Sequence, residues 1–403
     1  LLVELLITNQ CFEKSFETLP LMSTKNYLLN VKQEMAEAHE TILEVNLNAL
    51  EQNYIYLKSK LQKKTKFLAV VKAFGYGSDA GIISQKLQQL EVDYFAVAYT
   101  SEGVALRKAG ITKPILVFHP QIVNFKTIIK HCLEPSLYSF KVLEAFQQIA
   151  KEFNQANYPV HIKFNTGLNR LGFNKNKIDS VISILKASSV IKVKSVFSHL
   201  AVSEDLKEFN FTNNQIASFK RIADTFTKNI GYKPIIHLCN TSGVLNYPKA
   251  HFDMVRCGIG LYGFGNSKEK HHQLTPIASL KSIISQIHDI TEGDSVGYNR
   301  AYVAKKNMKI ATIPVGHADG LGRQYGNEAG FVYINQKKAF IVGNVCMDMI
   351  MVDVTNIPCE EGNQVVIFNE DQSAENLALS SGTISYELIS SISQRIPRSY
   401  IDN

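Results

Sequence analysis

The stretch that decides the fold runs from Phe67 to Gly77 and reads F-L-A-V-V-K-A-F-G-Y-G. Its first five residues, Phe67 to Val71, are an apolar run of strand length that ends at Lys72, with two glycines and a tyrosine close behind. The pattern predicts a buried strand that delivers a lysine amine to a loop. Partial desolvation favours the neutral amine, which can form a Schiff base with an aldehyde. A lysine that snorkels to solvent at a strand end is the structural alternative.

From Ile42 onward, strand-like runs alternate with helical patterns such as 80–90 and 212–228. The strand-like runs of this region are 67–71, 94–98, 115–118, 135–138, 160–164, 193–197, 235–238 and 254–255. Eight such units in roughly 230 residues predict a closed (β/α)8 barrel of the TIM type, whose active site lies at the carboxyl ends of the strands.

Polar and ionisable residues stand where most of these runs stop. They are Lys72, His119, Asn165 with Arg170, His199, Asn240 with Thr241 and Ser242, and Arg256. On a barrel, these side chains would converge on one mouth. Ordinary loop polarity explains His119 equally well. It explains Arg256 poorly, because this residue lies between the apolar Met254-Val255 and the glycine-spaced segment Cys257 to Gly260.

After about Pro276 the helical periodicity ends, and short alternating runs separated by Gly and Asp/Asn turns take over. This change predicts a mainly β C-terminal domain. We therefore expect a barrel over 41–275, a β-rich domain over 276–403, and in 1–40 the tail of an upstream segment or a linker. The run Ile42–Leu47 precedes the barrel and could pair with the β domain.

Composition excludes several classes of function. The chain has 403 residues, of which 45% are hydrophobic, which suits a large α/β unit and a smaller second unit. The net charge of +7 is spread over short runs, so we expect no nucleic-acid partner. The six cysteines follow no metal-ligand spacing, so we expect reduced thiols in the cytoplasm and no metal. No run approaches the ~18 apolar residues of a membrane span.

Eight motifs carry a resemblance to a known family. In chain order they are K-A-F-G-Y-G (72–77), K-F-N-T-G-L-N-R-L-G (163–172), S-H (198–199), H-L-C-N-T-S (237–242), R-C-G-I (256–259), G-Y (297–298), N-V-C-M-D (344–348) and I-S-Y-E (384–387). Together they resemble the alanine racemases, pyridoxal 5'-phosphate enzymes of fold-type III, over about 41–403. The resemblance implies interconversion of L-alanine and D-alanine, which supplies D-alanine for peptidoglycan.

The resemblance also implies which residues bind the cofactor. Lys72 would hold it covalently, and Arg256 would face its pyridine nitrogen. A guanidinium donates hydrogen bonds only, so that nitrogen would stay unprotonated, which favours racemisation over amino transfer. The remaining cofactor-binding residues implied are Tyr76, His199, Asn240, Thr241, Ser242, Gly258, Ile259 and Tyr386, several of which offer the hydroxyl or backbone N–H donors that a phosphate requires.

Racemisation needs two acid/base groups on opposite sides of the cofactor. By resemblance these are Lys72 and Tyr298, with His199 and Arg256, linked through hydrogen bonds, stabilising the phenolate. Arg170 and the backbone N–H of Met347 would bind the carboxylate of a small amino-acid substrate. The supporting residues implied by the resemblance are Lys163, Cys346, Asp348 and His317.

The sequence departs from the family pattern in two places. Asn165 replaces the usual aspartate before Thr166-Gly167, and His317 replaces the tyrosine of the usual Gly-Tyr-Ala-Asp-Gly run. Neither change touches the proton chemistry, so the expected reaction class stands. Asn165 removes a charge behind Arg170, and His317 changes the size and polarity of the substrate entrance, so a racemase of broader specificity, for example toward serine, is an alternative. Lys163 stands where some members carry a carbamylated lysine.

The resemblance implies a homodimer with shared active sites, in which each β domain reaches the barrel of its neighbour. It also implies a possible fusion upstream of Leu1, because His39–Leu47 resembles the junction behind a UDP-N-acetylmuramoyl-tripeptide:D-alanyl-D-alanine ligase. Two other classes remain as alternatives. One is a non-catalytic pyridoxal-phosphate carrier, and the other is a barrel-type amino-acid decarboxylase.

Overall fold

A computed structural model of the chain describes residues 40–265 and 273–402. The segment that we assigned to an upstream tail, 1–40, lies outside the described residues except for Glu40. The predicted (β/α)8 barrel and mainly β C-terminal unit are both confirmed.

Eight parallel strands close the barrel in the order in which they occur in the chain. They are β2 (Lys66–Val70), β3 (Tyr94–Val97), β4 (Ile115–Val117), β5 (Glu134–Leu137), β6 (Tyr158–Lys163), β7 (Ile191–Phe197), β8 (Ile235–His237) and β9 (Met254–Cys257). Strand β9 pairs with β2 to close the ring, with Arg256 opposite Leu68. Phe67 to Val70 of β2 are all buried, because a barrel strand is covered by helices outside and side chains inside.

Helices lie between and around these strands. They are α1 (Leu47–Ser59), α2 (Ala80–Gln89), α3 (Thr100–Lys108), α4 (Phe125–Lys130), α5 (Phe140–Glu152), α6 (Ile178–Lys186), α7 (Phe209–Ile230) and α8 (Thr241–Asn246). The longest, α7, buries Phe219, Ile222, Phe226 and Ile230, a spacing of three and four residues that places one apolar stripe on the barrel.

The second unit is built on a nine-stranded sheet in the order β11-β14-β17-β16-β15-β18-β10-β1-β19. Its strands are β1 (Ile42–Asn46), β10 (Ala278–Ile283), β11 (Gln286–Ile290), β14 (Met308–Ile313), β15 (Phe331–Ile334), β16 (Lys337–Val342), β17 (Ile350–Asp353), β18 (Gln364–Phe368) and β19 (Arg398–Ile401). Beside the sheet lie a two-stranded ribbon, β12 (Ser295–Val296) with β13 (Tyr302–Val303), and the short helices α9 (Ala374–Ser380) and α10 (Ser385–Ser391).

The first described strand, β1, belongs to this sheet and not to the barrel that follows it. It pairs antiparallel with β10 and parallel with β19. Leu43 and Val45 are buried while their neighbours are half-buried, as the alternation of a sheet with one core face requires. The segment 41–275 therefore starts with a strand of the C-terminal unit, and the exact division of the chain at 275/276 stays a prediction.

No helix in the described ranges 40–265 and 273–402 is long and apolar enough to cross a membrane. The cysteines at 239, 257, 346 and 359 are free thiols.

Candidate active site

Lys72 follows β2 and opens a left-handed turn. The φ angles from Ala73 to Gly77 are 53°, 53°, 62°, 50° and 86°. Left-handed backbone costs a residue with a side chain roughly 1–2 kcal/mol, so the surroundings must hold such a turn. A carboxylate oxygen of Glu102 accepts a hydrogen bond from the Ala73 N–H at 2.6 Å, and the Arg398 guanidinium donates to the Gly77 carbonyl at 2.9 Å. Both ends of the turn are thus fixed, and with them the position of Lys72.

The C-terminal unit contacts this turn directly. A Cβ at Gly77 would lie 2.1 Å from the Ile389 carbonyl oxygen of α10, so only glycine fits there. The aromatic rings of Tyr76 and Tyr386 lie 6.3 Å apart across the same contact. One chain therefore brings a residue of its own C-terminal unit, Tyr386, beside the lysine turn.

A cavity of about 260 Å³ lies at the carboxyl ends of the barrel strands. We call it the mouth cavity. It is lined by Val70, Lys72, Tyr76, Phe118, His119, Lys163, Arg170, Phe197, His199, Asn240, Thr241, Arg256, Gly258, Ile259 and Tyr386. Most of the predicted cofactor-binding and substrate-binding residues are thus brought together. His119, whose place ordinary loop polarity explained equally well, also lines the cavity. Ser242 is buried at the start of α8, next to Thr241.

Positive charge dominates the mouth cavity. Burial lowers the pKa of the Lys72 amine, and the Arg170 guanidinium lowers it further, while Glu102 acts in the opposite direction. Burial, then Arg170 and Arg256, lowers the pKa of Lys163 to about 8. Burial, followed by the charges of Lys163, Arg170 and Lys72, lowers the pKa of His119 to about 4. None of the described residues that line the cavity is acidic, so an anionic ligand meets attraction without a competing carboxylate.

Arg256 is held by four contacts in the barrel interior. Its Nη1 donates to His237 Nδ1 at 2.8 Å, and its Nη2 donates to the carbonyls of Ser198 and Leu238, both at 2.7 Å. His199 Nδ1 lies 3.1 Å from Nη2. Burial lowers the pKa of Arg256 to about 10, so the guanidinium is still charged at neutral pH.

The same arginine stabilises the neutral form of the histidine next to it. Burial, followed by the charge of Arg256, lowers the pKa of His199 well below its ordinary value. His199 Nδ1 can therefore accept the hydrogen bond from Arg256 Nη2. The resemblance implied a hydrogen-bonded link between these two residues, and the two side chains lie within hydrogen-bonding distance of each other.

The side of the cavity near the ends of β8 and β9 is formed by hydroxyl groups and by backbone that packs closely against them. Asn240 caps α8 by accepting from the Gly243 N–H at 2.9 Å, and Thr241 Oγ1 accepts from the Gly260 N–H at 3.2 Å. A Cβ at Gly258 would lie 2.3 Å from the hydroxyl oxygen of Tyr76. The glycine therefore lets the backbone and a phenol converge at one point of the cavity wall.

Asn165 makes a contact that an aspartate could not make. Its Oδ1 accepts from the N–H groups of Gly167 and Asn169 at 3.1 and 3.0 Å, and its Nδ2 donates to Asn169 Oδ1 at 2.7 Å. A carboxylate would keep the first two bonds, but it has no hydrogen to donate to Asn169 Oδ1. The loop that carries Arg170 is thus closed by an amide pair.

Five predicted site residues of the C-terminal unit do not line the mouth cavity of their own chain. We call them the β-domain cluster: Tyr298, His317, Cys346, Met347 and Asp348. The side chains of Tyr298 and Met347 are 72% and 58% exposed. The His317 N–H donates to the Cys346 carbonyl at 2.9 Å, so two of the cluster's loops pack against each other.

Ion pairs of the exposed Arg395 with the buried Asp319 and the exposed Asp348 support the β-domain cluster. Arg395 donates to both carboxylate oxygens of Asp319, at 2.6 and 3.0 Å, and to Asp348 at 2.7 Å. Asp319 in turn accepts from the Gly316 N–H at 2.8 Å. The cluster is therefore a built surface of the C-terminal unit, although nothing of its own chain covers Tyr298 or Met347 among the described residues.

Sequence reasoning missed Phe118, Phe197 and His237. Phe197 stacks on His237, with ring centroids 4.8 Å apart, and its ring lies 5.3 Å from the Arg256 guanidinium carbon. His237 was quoted only as part of a motif, although it contacts Arg256 directly. Its place at the carboxyl end of β8 was the available signal, because the active site of such a barrel lies at the carboxyl ends of the strands.

Comparison with known proteins agrees with this geometry. The alanine racemase N-terminal domain family matches residues 45–265, and the alanine racemase C-terminal domain family matches residues 277–400. Alanine racemase 2 of Bacillus subtilis is 35% identical over 383 residues, which cover 90% of this chain and 95% of that protein. The solved alanine racemase of Clostridium difficile is 31% identical, with a TM-score of 0.85 over 91% of this chain and 97% of its own.

A further solved structure is the alanine racemase of Bartonella henselae with covalently bound pyridoxal phosphate. It is 28% identical, with a TM-score of 0.83 over 90% of this chain and 100% of its own. The two family matches together cover both structural units. The chain therefore belongs to the alanine racemase family.

Proposed function

We propose that this protein interconverts L-alanine and D-alanine with pyridoxal 5'-phosphate as cofactor. The observation that carries the proposal is the mouth cavity, where the Lys72 amine and the Arg256 guanidinium lie in one enclosure lined by no acidic residue among those described. A decarboxylase of this barrel type would need acidic groups for a diamine product. The carrier alternative would need no β-domain cluster.

The residues present fit the cofactor. A phosphate dianion suits the hydroxyls of Tyr76, Thr241, Ser242 and Tyr386 and the backbone at Gly258 and Ile259, where a Cβ at Gly258 would meet the Tyr76 hydroxyl at 2.3 Å. The lowered pKa of the Lys72 amine favours the neutral form that attacks an aldehyde. When bound, pyridoxal 5'-phosphate supplies an electron sink for removal of the α-proton.

Each remaining residue then has a task that its own chemistry allows. Arg256 donates and never accepts, so it would leave a pyridine nitrogen unprotonated. Lys72 would move the proton on one face of the substrate. Arg170, at the cavity rim, would bind the substrate carboxylate, and Lys163, His199 and Asn240 would support the cofactor side.

The second acid/base group must come from the β-domain cluster. Tyr298, Met347 and Met349 of the C-terminal unit are large apolar residues that remain exposed in the single chain. We propose a two-fold homodimer in which Tyr298 of the partner subunit and the backbone N–H of Met347 of the partner subunit enter the mouth cavity. In this arrangement 41–275 binds the cofactor together with Tyr386 of the same chain, and the β-domain cluster of 276–403 completes the neighbour's site.

A racemase that also accepts serine is a second candidate. It is favoured by the amide pair Asn165–Asn169 at the base of the Arg170 loop, which replaces a carboxylate, and by the exposed imidazole of His317, which replaces a tyrosine. Both changes alter polarity near the expected substrate carboxylate or its path. The comparison of L-alanine with L-serine as substrate decides between the two candidates.

One incubation tests the reaction class. The protein is mixed with L-alanine and pyridoxal 5'-phosphate, and D-alanine and carbon dioxide are both measured. We expect D-alanine without carbon dioxide. Carbon dioxide release would identify a decarboxylase, and neither product would identify a carrier.

A further inference from the structure

A chain of buried polar side chains crosses five consecutive strands of the barrel. It runs from Arg256 on β9 through His237 on β8, Ser195 on β7 and His161 on β6 to Glu134 on β5. The four contacts are 2.8 Å (Arg256 Nη1 to His237 Nδ1), 2.8 Å (His237 Nε2 to Ser195 Oγ), 2.6 Å (Ser195 Oγ to His161 Nδ1) and 2.7 Å (His161 Nε2 to Glu134 Oε2). Each of the five residues in this polar chain is at most 8% exposed.

The residues at the two ends of this polar chain, Arg256 and Glu134, require the hydrogen bonds between them to point the same way, from Arg256 toward Glu134. A guanidinium can only donate, so His237 Nδ1 must accept and His237 Nε2 must carry the proton that it donates to Ser195. A carboxylate can only accept, so His161 Nε2 must carry the proton that it donates to Glu134. The Ser195 hydroxyl then donates to the bare Nδ1 of His161. Every hydrogen has an acceptor in this arrangement.

A doubly protonated His161 would break this pattern. Ser195 Oγ would then accept from both histidines, and its own hydrogen would have no acceptor among the described neighbours. An unsatisfied hydroxyl at a site with no solvent exposure is costly. His237 is kept neutral by burial and by the charge of Arg256, which lower its pKa well below the ordinary value.

We infer that Glu134 and Ser195 are positioning residues of the active site, which fix the tautomer of His237 so that a bare Nδ1 receives Arg256. The inference rests on the proposed function, because it gives Arg256 its importance toward the cofactor. Neither residue touches the mouth cavity. Their effect passes through His161 and His237.

The neighbouring serine shows that the polar chain is specific. Ser136 lies on β5 and is paired in register with His161, and it too has no solvent exposure. Its hydroxyl has no hydrogen-bond partner among the described residues. Ser136→Ala is therefore a matched control for Ser195→Ala, because both changes remove one buried hydroxyl beside the same histidine and only the second interrupts the polar chain.

The direct test is nitrogen NMR of the protein labelled in histidine, with signals assigned from His161 and His237 variants. In the wild-type protein without cofactor we expect both histidines to be neutral and protonated on Nε2. A proton on His237 Nδ1, or a doubly protonated His161, would overturn the inference. This measurement needs no racemase activity, so it separates failure of the inference from failure of the proposed function.

Variants test the consequence for Arg256. Ser195→Ala leaves the His237 N–H without an acceptor, so we expect cofactor affinity in equilibrium dialysis to fall about tenfold, as for one buried unsatisfied donor. Ser136→Ala should change it less than about twofold. Equal losses in the two variants would contradict the role of Ser195.

The isosteric change Glu134→Gln tests the far end. A glutamine amide can donate to His161 Nε2 as well as accept from it, so the far end no longer enforces the direction of donation, while Arg256 still opposes a proton on His237 Nδ1. We expect cofactor affinity to fall by less than in Ser195→Ala but by more than in Ser136→Ala, and we expect a second His161 tautomer to appear. Cofactor affinity and a His161 signal that both match Ser136→Ala would contradict the role of Glu134.

Discussion

The mouth cavity and the β-domain cluster differ in how far one chain completes them. In the mouth cavity, Lys72, Arg256 and His199 are held by contacts within the same barrel, and their pKa values are shifted by burial there. In the β-domain cluster, Tyr298 and Met347 stand on a well-supported surface but face outward. The mouth cavity is thus enclosed by its own chain, whereas the β-domain cluster is left open by its own chain among the described residues. The difference supports the proposal that a racemase site here needs a second copy of the chain.

We expect the largest effect from substitution of Lys72, the lysine of the mouth cavity. Lys72→Ala removes the amine that would hold the cofactor and move one proton, so we expect activity to fall by about four orders of magnitude or more, together with the visible absorbance of the bound cofactor. Lys66→Ala, at the start of the same strand, is the control. Its exposed pair with Asp93 should contribute little. A Lys72→Ala protein that keeps activity and absorbance would place the amine elsewhere.

We expect the second largest effect from substitution of Tyr298 in the β-domain cluster. Tyr298→Phe should lower racemisation by about two to four orders of magnitude, yet leave the α-proton of one alanine enantiomer exchangeable with deuterium, because Lys72 still serves its face. Tyr302→Phe is the matched control, since the Tyr302 hydroxyl only contacts Met308 Sδ at 3.3 Å. Equal loss of exchange for both enantiomers would refute the assignment of two opposite bases.

A smaller effect is expected from the carboxylate that holds the lysine turn. Glu102 raises the pKa of Lys72, and its oxygens accept from the N–H groups of Ala73, Ala98 and Tyr99. Glu102→Gln removes the negative charge, so the pKa of Lys72 should fall. Because the neutral amine acts as base, the acid limb of the pH–rate profile should then move to lower pH. Glu144→Gln, on the exposed face of α5, should leave that limb unchanged, and a shift to higher pH in Glu102→Gln would be the opposite of the expected result.

We expect the smallest effect from substitution of His317 in the β-domain cluster. His317→Tyr restores the residue usual in the family, and we expect the ratio of kcat/KM for alanine to that for serine to change by less than about tenfold, the range that a modest change in pocket polarity gives. The measurement is competition between the two substrates. A change of several orders of magnitude would show that His317 dominates specificity.

Much of this molecule can be predicted from the sequence, because barrel strands form apolar runs and their polar neighbours mark the mouth. The run ending at Lys72 and the isolated Arg256 are of this kind. The left-handed turn Ala73–Tyr76 could not be foreseen, because the residues that hold it, Glu102 and Arg398, are distant in sequence. Its non-glycine residues carry no local sign of positive φ.

The buried polar chain escaped prediction for a different reason. His161 and Ser195 lie inside runs, 160–164 and 193–197, that hydropathy reads as strands of the core. Their hydrogen bonds join strands that are adjacent only once the barrel has closed. The same holds for β1, whose pairing with β19 joins the two ends of the described chain.

The central claim, that each site joins the mouth cavity of one chain to the β-domain cluster of another, can be tested with mixed dimers. Lys72→Ala and Tyr298→Phe subunits are combined in equal amounts, dissociated and re-associated, and racemase activity is measured on mixtures shown to contain mixed dimers. Half of the dimers should be mixed and each should hold one intact site of two, so we expect roughly a quarter of wild-type activity. Activity no higher than that of the separate variants would contradict the claim and place the whole site within a single chain.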